Sequence, residues 1–263
     1  LSATTRRGLL LAAGIVLGWA VSLALVLRLD PASTSPLWLL LAVLVRTLLH
    51  TGLFIVGHDA MHGLLLPCHP ALNRRLGQVV VLLYAALPYD AILANHRLHH
   101  RHAGTAADPD HHGGGSPHPL AWYRRFMAGY LAPGHVTALV GGWALLAAAL
   151  QPLGKGALLQ VLLFCTLPLL LSSLQLFLVG TYLPHRPLPG ASATTAVLPH
   201  RATSLDLPVW LSLLSCYHFG YHHEHHAYPE LAWHQLPAAR LGRPTSLLVA
   251  MPTALQGSAI RCQ

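Results

Sequence analysis

Tyr221-His222-His223-Glu224-His225-His226 is the stretch on which the reading of this chain turns, with four histidines in five residues near the end of an otherwise apolar sequence. Read as His-x-x-His-His, it sets His222 one helical turn from both His225 and His226, so imidazoles can converge on metal from one helix face. The same spacing recurs at His96, His99 and His100. A looser i, i+4 pair, His58 and His62, lies in Gly57-His58-Asp59-Ala60-Met61-His62-Gly63. A lone histidine is weak evidence, but three clusters from separate stretches predict a metal site with the rest of the chain as scaffold. The eight histidines of the three boxes exceed the four ligands of a structural zinc, which predicts two metal ions.

Composition points to a membrane. The 263 residues are 54% hydrophobic and only 9% charged, with a mean hydropathy of +0.50, whereas soluble domains are about a quarter charged. Twenty histidines against eight acidic residues favour an imidazole site for iron, zinc, copper or nickel over calcium or magnesium. A net charge of +8 without a basic stripe interleaved with aromatics excludes nucleic acid as the expected partner. Cys68, Cys165, Cys216 and Cys262 form no C-x-x-C pair, so no disulfide and no zinc finger is expected.

In chain order, Arg6-Arg7 precede an apolar run over about residues 8–28, long enough to cross a bilayer and expected as a retained helix rather than a signal peptide. A breaker-rich turn leads to a second span over about 37–57, interrupted by Arg46 and His50, which are expected to face the bundle interior. Residues 76–94 are apolar, but histidine boxes at both ends predict an interfacial or re-entrant segment with Pro88, Tyr89 and Asp90 as its irregular part. Arg101 to Gly134 reads as a polar loop in which His111, His112 and His118 are solvated. Residues 135–150 and 157–180 form a helical hairpin, and the short run Leu205 to Cys216 delivers the last box. The expected architecture is all-α and integral to the membrane: one domain over residues 1–263, four transmembrane helices, and a di-metal site at one face. Arginines concentrate on the histidine side, against Arg28 and Lys155 opposite, so that face and both termini are expected to be cytoplasmic. Asp59, Asp108, Asp110 and Glu224 lie in or near the boxes, where carboxylates orient ligating imidazoles.

The boxes resemble those of the membrane-bound di-iron superfamily of fatty acid desaturases, alkane hydroxylases and carotenoid oxygenases. Within it the chain resembles bacterial-type β-carotene ketolases. The likeness is carried by the first box, Asn95-His96-Arg97-Leu98-His99-His100-Arg101-His102, Gly180-Thr181-Tyr182-Leu183-Pro184-His185-Arg186, His200-Arg201-Ala202, and Cys216 to His226. It runs from about Leu53 to Leu236. The resemblance implies two iron ions held by His58, His62, His96, His99, His100, His222, His225 and His226, which are also the catalytic residues. His185 is a ninth candidate, because related desaturases place an extra histidine after the last span. His218, Asp59, Asp108 and Glu224 are further ligand or supporting candidates. His102 and His223 offer alternative registers that the superfamily pattern does not favour.

The family activity activates O2 with electrons from ferredoxin or a similar reductant. It hydroxylates C4 of a β-ionone ring twice, and the gem-diol loses water to a ketone, taking β-carotene to echinenone and canthaxanthin and a 3-hydroxylated ring towards astaxanthin. Attack on such a C–H bond needs an oxidant that side chains cannot supply. A carotenoid ring enters from the lipid bilayer while electrons arrive from the cytoplasm, and a metal site at the membrane face meets both demands. Leu53, Phe54, Tyr89, Tyr182 and Phe219 are ring-binding guesses from proximity. Carotenoid 3-hydroxylation and fatty acyl desaturation would use a similar site. A histidine-rich metal transporter is the distant rival, but it would place its ligands near mid-membrane.

Overall fold

The computed structural model describes residues 1–153, 156–186 and 201–242. Lys155, His200 and Cys262, named above, lie outside the described residues. Every regular element among the described residues is a helix, with no strand among them.

Four helices are long and apolar enough to cross a membrane: α1 Ala3–Val26, α2 Pro36–Met61, α6 Pro133–Leu150 and α7 Ala157–His185. Proline opens α2 and α6, as it does α3 Pro70–Ala85 and α5 Pro119–Tyr130, where its missing N–H costs nothing and its fixed φ suits the first turn. Leu10, Leu17 and Leu25 of α1, Leu37, Leu40 and Leu44 of α2, and Leu145 of α6 remain exposed within the protein. That is the surface expected to face lipid.

Helices α1, α2 and α7 are fastened by polar groups that have no water to turn to. Arg46 is buried on α2, and its partners are main-chain oxygens and a hydroxyl. Its Nη1 donates to Trp19 O at 2.7 Å and Ser22 Oγ at 3.1 Å, and its Nε donates to Phe164 O at 3.2 Å. Pro168 has no N–H for the carbonyl four residues earlier, so Arg46 occupies an acceptor that the proline leaves open. His50 accepts from Trp19 Nε1 at 3.1 Å, and Thr51 donates to Gln175 Oε1 at 2.6 Å. Both residues are interior.

Helix α3 and α4 Tyr89–His102 form a pair bent by 98°. The break is Ala86 to Pro88, with Ala86 left-handed at φ 53°, whereas Tyr89 and Asp90 open the next helix instead of belonging to the irregular part. The pair packs tightly on α2. A Cβ on Gly77 would lie 2.4 Å from Tyr89 Cε2 and 2.8 Å from Ala60 Cβ, so only glycine fits there. Asn73 ties the α2–α3 turn, donating to Ala60 O at 2.7 Å and accepting from Leu65 N and Leu66 N at 3.1 and 3.2 Å. The end of α2, with His58 and His62, is thereby fixed against α4.

The segment from Arg101 to Gly134 is not simply a polar loop. It contains α5, whose Trp122 is fully buried and donates to Asp110 O at 2.7 Å. His111 and His112 are half-buried instead of solvated, their rings 5.1 and 4.9 Å from the Trp122 ring. An aromatic anchor inside a glycine- and proline-rich stretch overrides the local composition. The absence of disulfides is likewise corrected at Cys68, which is disulfide-bonded, because chain spacing does not limit which cysteines meet in space. Cys165 and Cys216 are free and buried.

Candidate metal centre

Four elements deliver histidines to one place. His58 and His62 end α2, His96, His99 and His100 occupy the last turns of α4, and His185 closes α7. His222, His225 and His226 come from α9 His222–Ala227, which follows α8 Val209–Cys216. Between α8 and α9, Tyr217 and His218 adopt positive φ of 49° and 65°, uncommon for residues with a Cβ. This turn is held by Tyr217 N donating to Leu213 O at 2.8 Å and His218 N to Ser212 O at 3.0 Å, and it aims α9 into the core.

The nine histidines gather into two groups. His58, His62, His96, His100 and His225 form one; His99, His185, His222 and His226 form the other, each with its candidate ligand atoms within 4.8 Å of one another. The Nε2 atoms face inward: His96 to His62 at 2.7 Å, His100 to His225 at 2.9 Å, His226 to His222 at 3.0 Å and His99 to His226 at 3.1 Å. The groups touch, with the His100 and His226 rings 4.4 Å apart. Helix geometry explains the division. Residues i and i+4 share a face while neighbours diverge by about 100°, so His58/His62, His96/His100 and His222/His226 each stay together. The imidazoles of a His-x-x-His-His box therefore do not all converge from one helix face, because His99 and His225 cross to the opposite group.

The donor chemistry fits metal ions. Burial, then the neighbouring imidazoles, hold His96, His222, His225 and His226 well below the ordinary histidine range. Burial and the Arg97 charge pull His62 down to about 4. These rings are neutral at physiological pH, the form in which imidazole ligates. His58 buries both ring nitrogens, and His185 its Nε2, without a hydrogen-bond partner. Such orphaned groups cost ~1–3 kcal/mol each, and coordination would satisfy them.

His99 differs from the rest. Burial lowers its pKa, but the Asp108 hydrogen bond and the charges of Asp110 and Asp108 outweigh it and leave the ring raised. Its Nδ1 donates to Asp108 Oδ1 at 3.0 Å and Oδ2 at 3.1 Å, leaving Nε2 to point into the second group. Asp108 also accepts from Gly104 N and Asp110 N, both at 2.9 Å. Its carboxyl is lowered: burial alone would raise it, but the His99 hydrogen bond and charge and the backbone donors prevail. The other carboxylates serve elsewhere. Asp59 accepts from Trp233 N at 3.3 Å, and Glu224 accepts from Ser204 Oγ and, at 3.3 Å, from Arg240 Nη1. His218 belongs to neither group, because the turn at Tyr217 and His218 directs its ring against Tyr221 and Trp233.

A cavity of about 200 Å³ lies beside both groups, and His58, His96, His99 and His222 form its polar floor. Its walls are mostly apolar, built from α2, α3, α5, α6 and α7 by residues such as Phe54, Tyr84, Met127, Leu139, Trp143 and Leu176. Of the ring-binding guesses, Phe54 and Phe219 line it. Leu53 and Tyr89 are core instead, and Tyr182 packs on Trp122 and Phe177; helix rotation, not proximity in sequence, decides which side faces the cavity. Phe219 sits edge-on to His58 at 4.6 Å. A Cβ on Gly180 would lie 2.7 Å from Phe219 Cδ1, so the glycine makes room for that ring. Asp110 and Tyr130 also line the cavity. Sequence reasoning missed Tyr130, which sits inside a segment read as loop, and gave Asp110 no place beside the substrate.

Comparison with known proteins agrees with this geometry. The fatty acid desaturase family profile matches residues 33–140 and 134–246. The chain is 39% identical over 234 residues to a beta-carotene ketolase of Paracoccus sp. (strain PC1), spanning 88% of this chain and 90% of that one. It is 39% identical over 210 residues to a beta-carotene ketolase of Haematococcus lacustris, spanning 79% and 64%. It is 37% identical over 226 residues to a zeaxanthin 4-ketolase of Chlamydomonas reinhardtii, spanning 84% and 48%. With its histidine groups, its apolar helices and these relatives, the chain belongs to the fatty acid desaturase family and, within it, to the β-carotene ketolases.

Proposed function

We propose that this chain is a β-carotene 4-ketolase, an integral membrane oxygenase that converts C4 of a β-ionone ring from CH2 to C=O. Two hydroxylations each take one O2, two electrons and two protons and release one water, and the gem-diol then loses water. The observation that carries the reading is the cavity floor, where histidines of both groups face a space that is otherwise apolar. In this reading His58, His62, His96, His100 and His225 hold one iron ion, and His99, His185, His222 and His226 hold the other. The iron pair, when bound, supplies the O2-dependent oxidising power that side chains lack. The protein contributes orientation and exclusion of water. Asp108 fixes the tautomer and direction of His99, Phe219 covers His58 from the cavity side, and the apolar wall selects a hydrocarbon ring.

The histidine face is cytoplasmic in this proposal. Arg97, Arg101, Arg125 and Arg201 are exposed near the metal site, a basic surface suited to an acidic electron donor such as ferredoxin. Pigment analysis in a β-carotene-producing bacterium expressing the chain tests the function. Echinenone and canthaxanthin are the expected products. Zeaxanthin would move the attack to C3, and unchanged β-carotene with iron-loaded, inserted protein would remove the carotenoid reading.

A further inference from the structure

One cavity-lining group, which also lies close to His99 and Asp108, finds no counterpart in a hydrocarbon ring. Among the described lining residues Asp110 is the only carboxylate, and it is buried. It is held in place on three sides: its N–H donates to Asp108 Oδ1 at 2.9 Å, its carbonyl accepts from Trp122 Nε1 at 2.7 Å, and its Oδ1 accepts from Tyr130 Oη at 2.8 Å. Oδ2 is 3.9 Å from His99 Nδ1, too far for a hydrogen bond. Another polar lining group, Ser173, is already engaged by Leu170 O at 2.8 Å and Tyr123 Oη at 2.7 Å. A carboxylate offers about four acceptor sites, and burying it against hydrocarbon alone is costly. The unoxidised ring cannot meet that demand. The once-hydroxylated ring can, because the first oxygenation creates an O–H where none was.

We propose that Asp110, clamped by Tyr130, is a hydroxyl-binding subsite that retains the 4-hydroxy ring beside the metal groups for its second oxygenation. The alcohol O–H donates to Asp110 Oδ2; a protonated Asp110 pairs with the alcohol oxygen equally well, so the assignment does not depend on its charge. The partner of the carboxylate is the intermediate, which makes Asp110 a determinant of product. Held there, the carbinol carbon keeps its remaining C–H towards the floor of His58, His96, His99 and His222. Loss of the alcohol into the bilayer is suppressed, and ketone forms instead of a released 4-hydroxy product.

This inference rests on the ketolase reading, and its test separates the two. Wild type, Asp110→Leu and Tyr130→Phe are assayed as iron-loaded protein in membranes with reductant, on β-carotene and separately on a 4-hydroxy carotenoid. Iron per chain and the ratio of 4-hydroxy to 4-keto rings are measured. Both variants are expected to release the alcohol, raising that ratio roughly tenfold, the scale of one lost hydrogen bond, and slowing oxidation of the 4-hydroxy substrate more than that of β-carotene. Tyr130→Phe touches no histidine and decides the matter if Asp110→Leu binds less iron. An unchanged ratio in Tyr130→Phe, with ketone and alcohol falling together, overturns the subsite and leaves Asp110 as a support for His99. A wild type that makes no 4-oxidised ring overturns the ketolase reading instead.

Discussion

Asp108→Asn is the perturbation whose consequence follows most directly from the geometry. The substitution keeps size and shape but replaces one oxygen by an NH2 group. Oδ1 accepts from His99 Nδ1 and Asp110 N, and Oδ2 accepts from Gly104 N and again from His99. Whichever way the amide turns, its NH2 meets an N–H: that of Gly104 in one orientation, that of Asp110 in the other. A buried donor left unpaired costs ~1–3 kcal/mol, and ~1.4 kcal/mol is a tenfold change in an equilibrium constant. The loss of negative charge adds to this by making His99 a poorer electron donor. The expected effect is about 10- to 100-fold weaker metal binding, in the range seen when such supporting groups are removed. Only the group of His99, His185, His222 and His226 depends on Asp108, because His58, His62, His96, His100 and His225 make no hydrogen bond to it. Chelator titration of purified protein, with iron counted per chain, should therefore show one iron leaving at about 10- to 100-fold lower chelator concentration while the other stays. Equal release of both irons, or no shift in either, would refute the reasoning.

Three further outcomes are expected. Gly180→Ala drives its new Cβ into Phe219 Cδ1, where only 2.7 Å is available, so the ring must move over the cavity; overpacking costs ~1–3 kcal/mol, and ketone formation should fall while iron per chain is unchanged. His225→Ala removes one of five donors of its group, and His99→Ala one of four; each is expected to abolish oxidation while the protein still inserts, and full turnover in either would remove that residue from the ligand set. For iron-free protein, His62 titrates near 4 when folded and near 6.5 when unfolded. The unfolded chain thus binds the proton first, so the stability is complete above pH 6.5 and is lost as pH falls through 4. Thermal unfolding in detergent at pH 7.5, 5.5 and 4.5 should show a steady decline, and a flat profile would count against the buried neutral cluster.

What the chain disclosed in advance, and what it withheld, follows from how far each interaction reaches along the sequence. An apolar run of bilayer length is a local property, so the helices that became α1, α2, α6 and α7 were legible, with ends displaced by a few residues where proline set the true start. Histidine spacing is local too, and it pointed to a metal centre. The division of that centre was also latent in the spacing, because the i+4 partner keeps the face and an adjacent histidine turns away from it. His99-His100 and His225-His226 are therefore adjacent pairs that straddle the two groups, which forces the groups into contact. The withheld parts are long-range or conformational. His218, a ligand or supporting candidate four residues before His222, is turned away by its positive φ, which no composition signal announces. Residues 101–134 looked solvated because glycine and proline dominate them locally. Their order comes from Trp122, whose indole N–H reaches back 12 residues to Asp110 O. That bond fixes the main chain of Asp110 while Tyr130 Oη holds its carboxylate, so the stretch that reads as featureless loop holds the group whose chemistry discriminates an alcohol from a hydrocarbon.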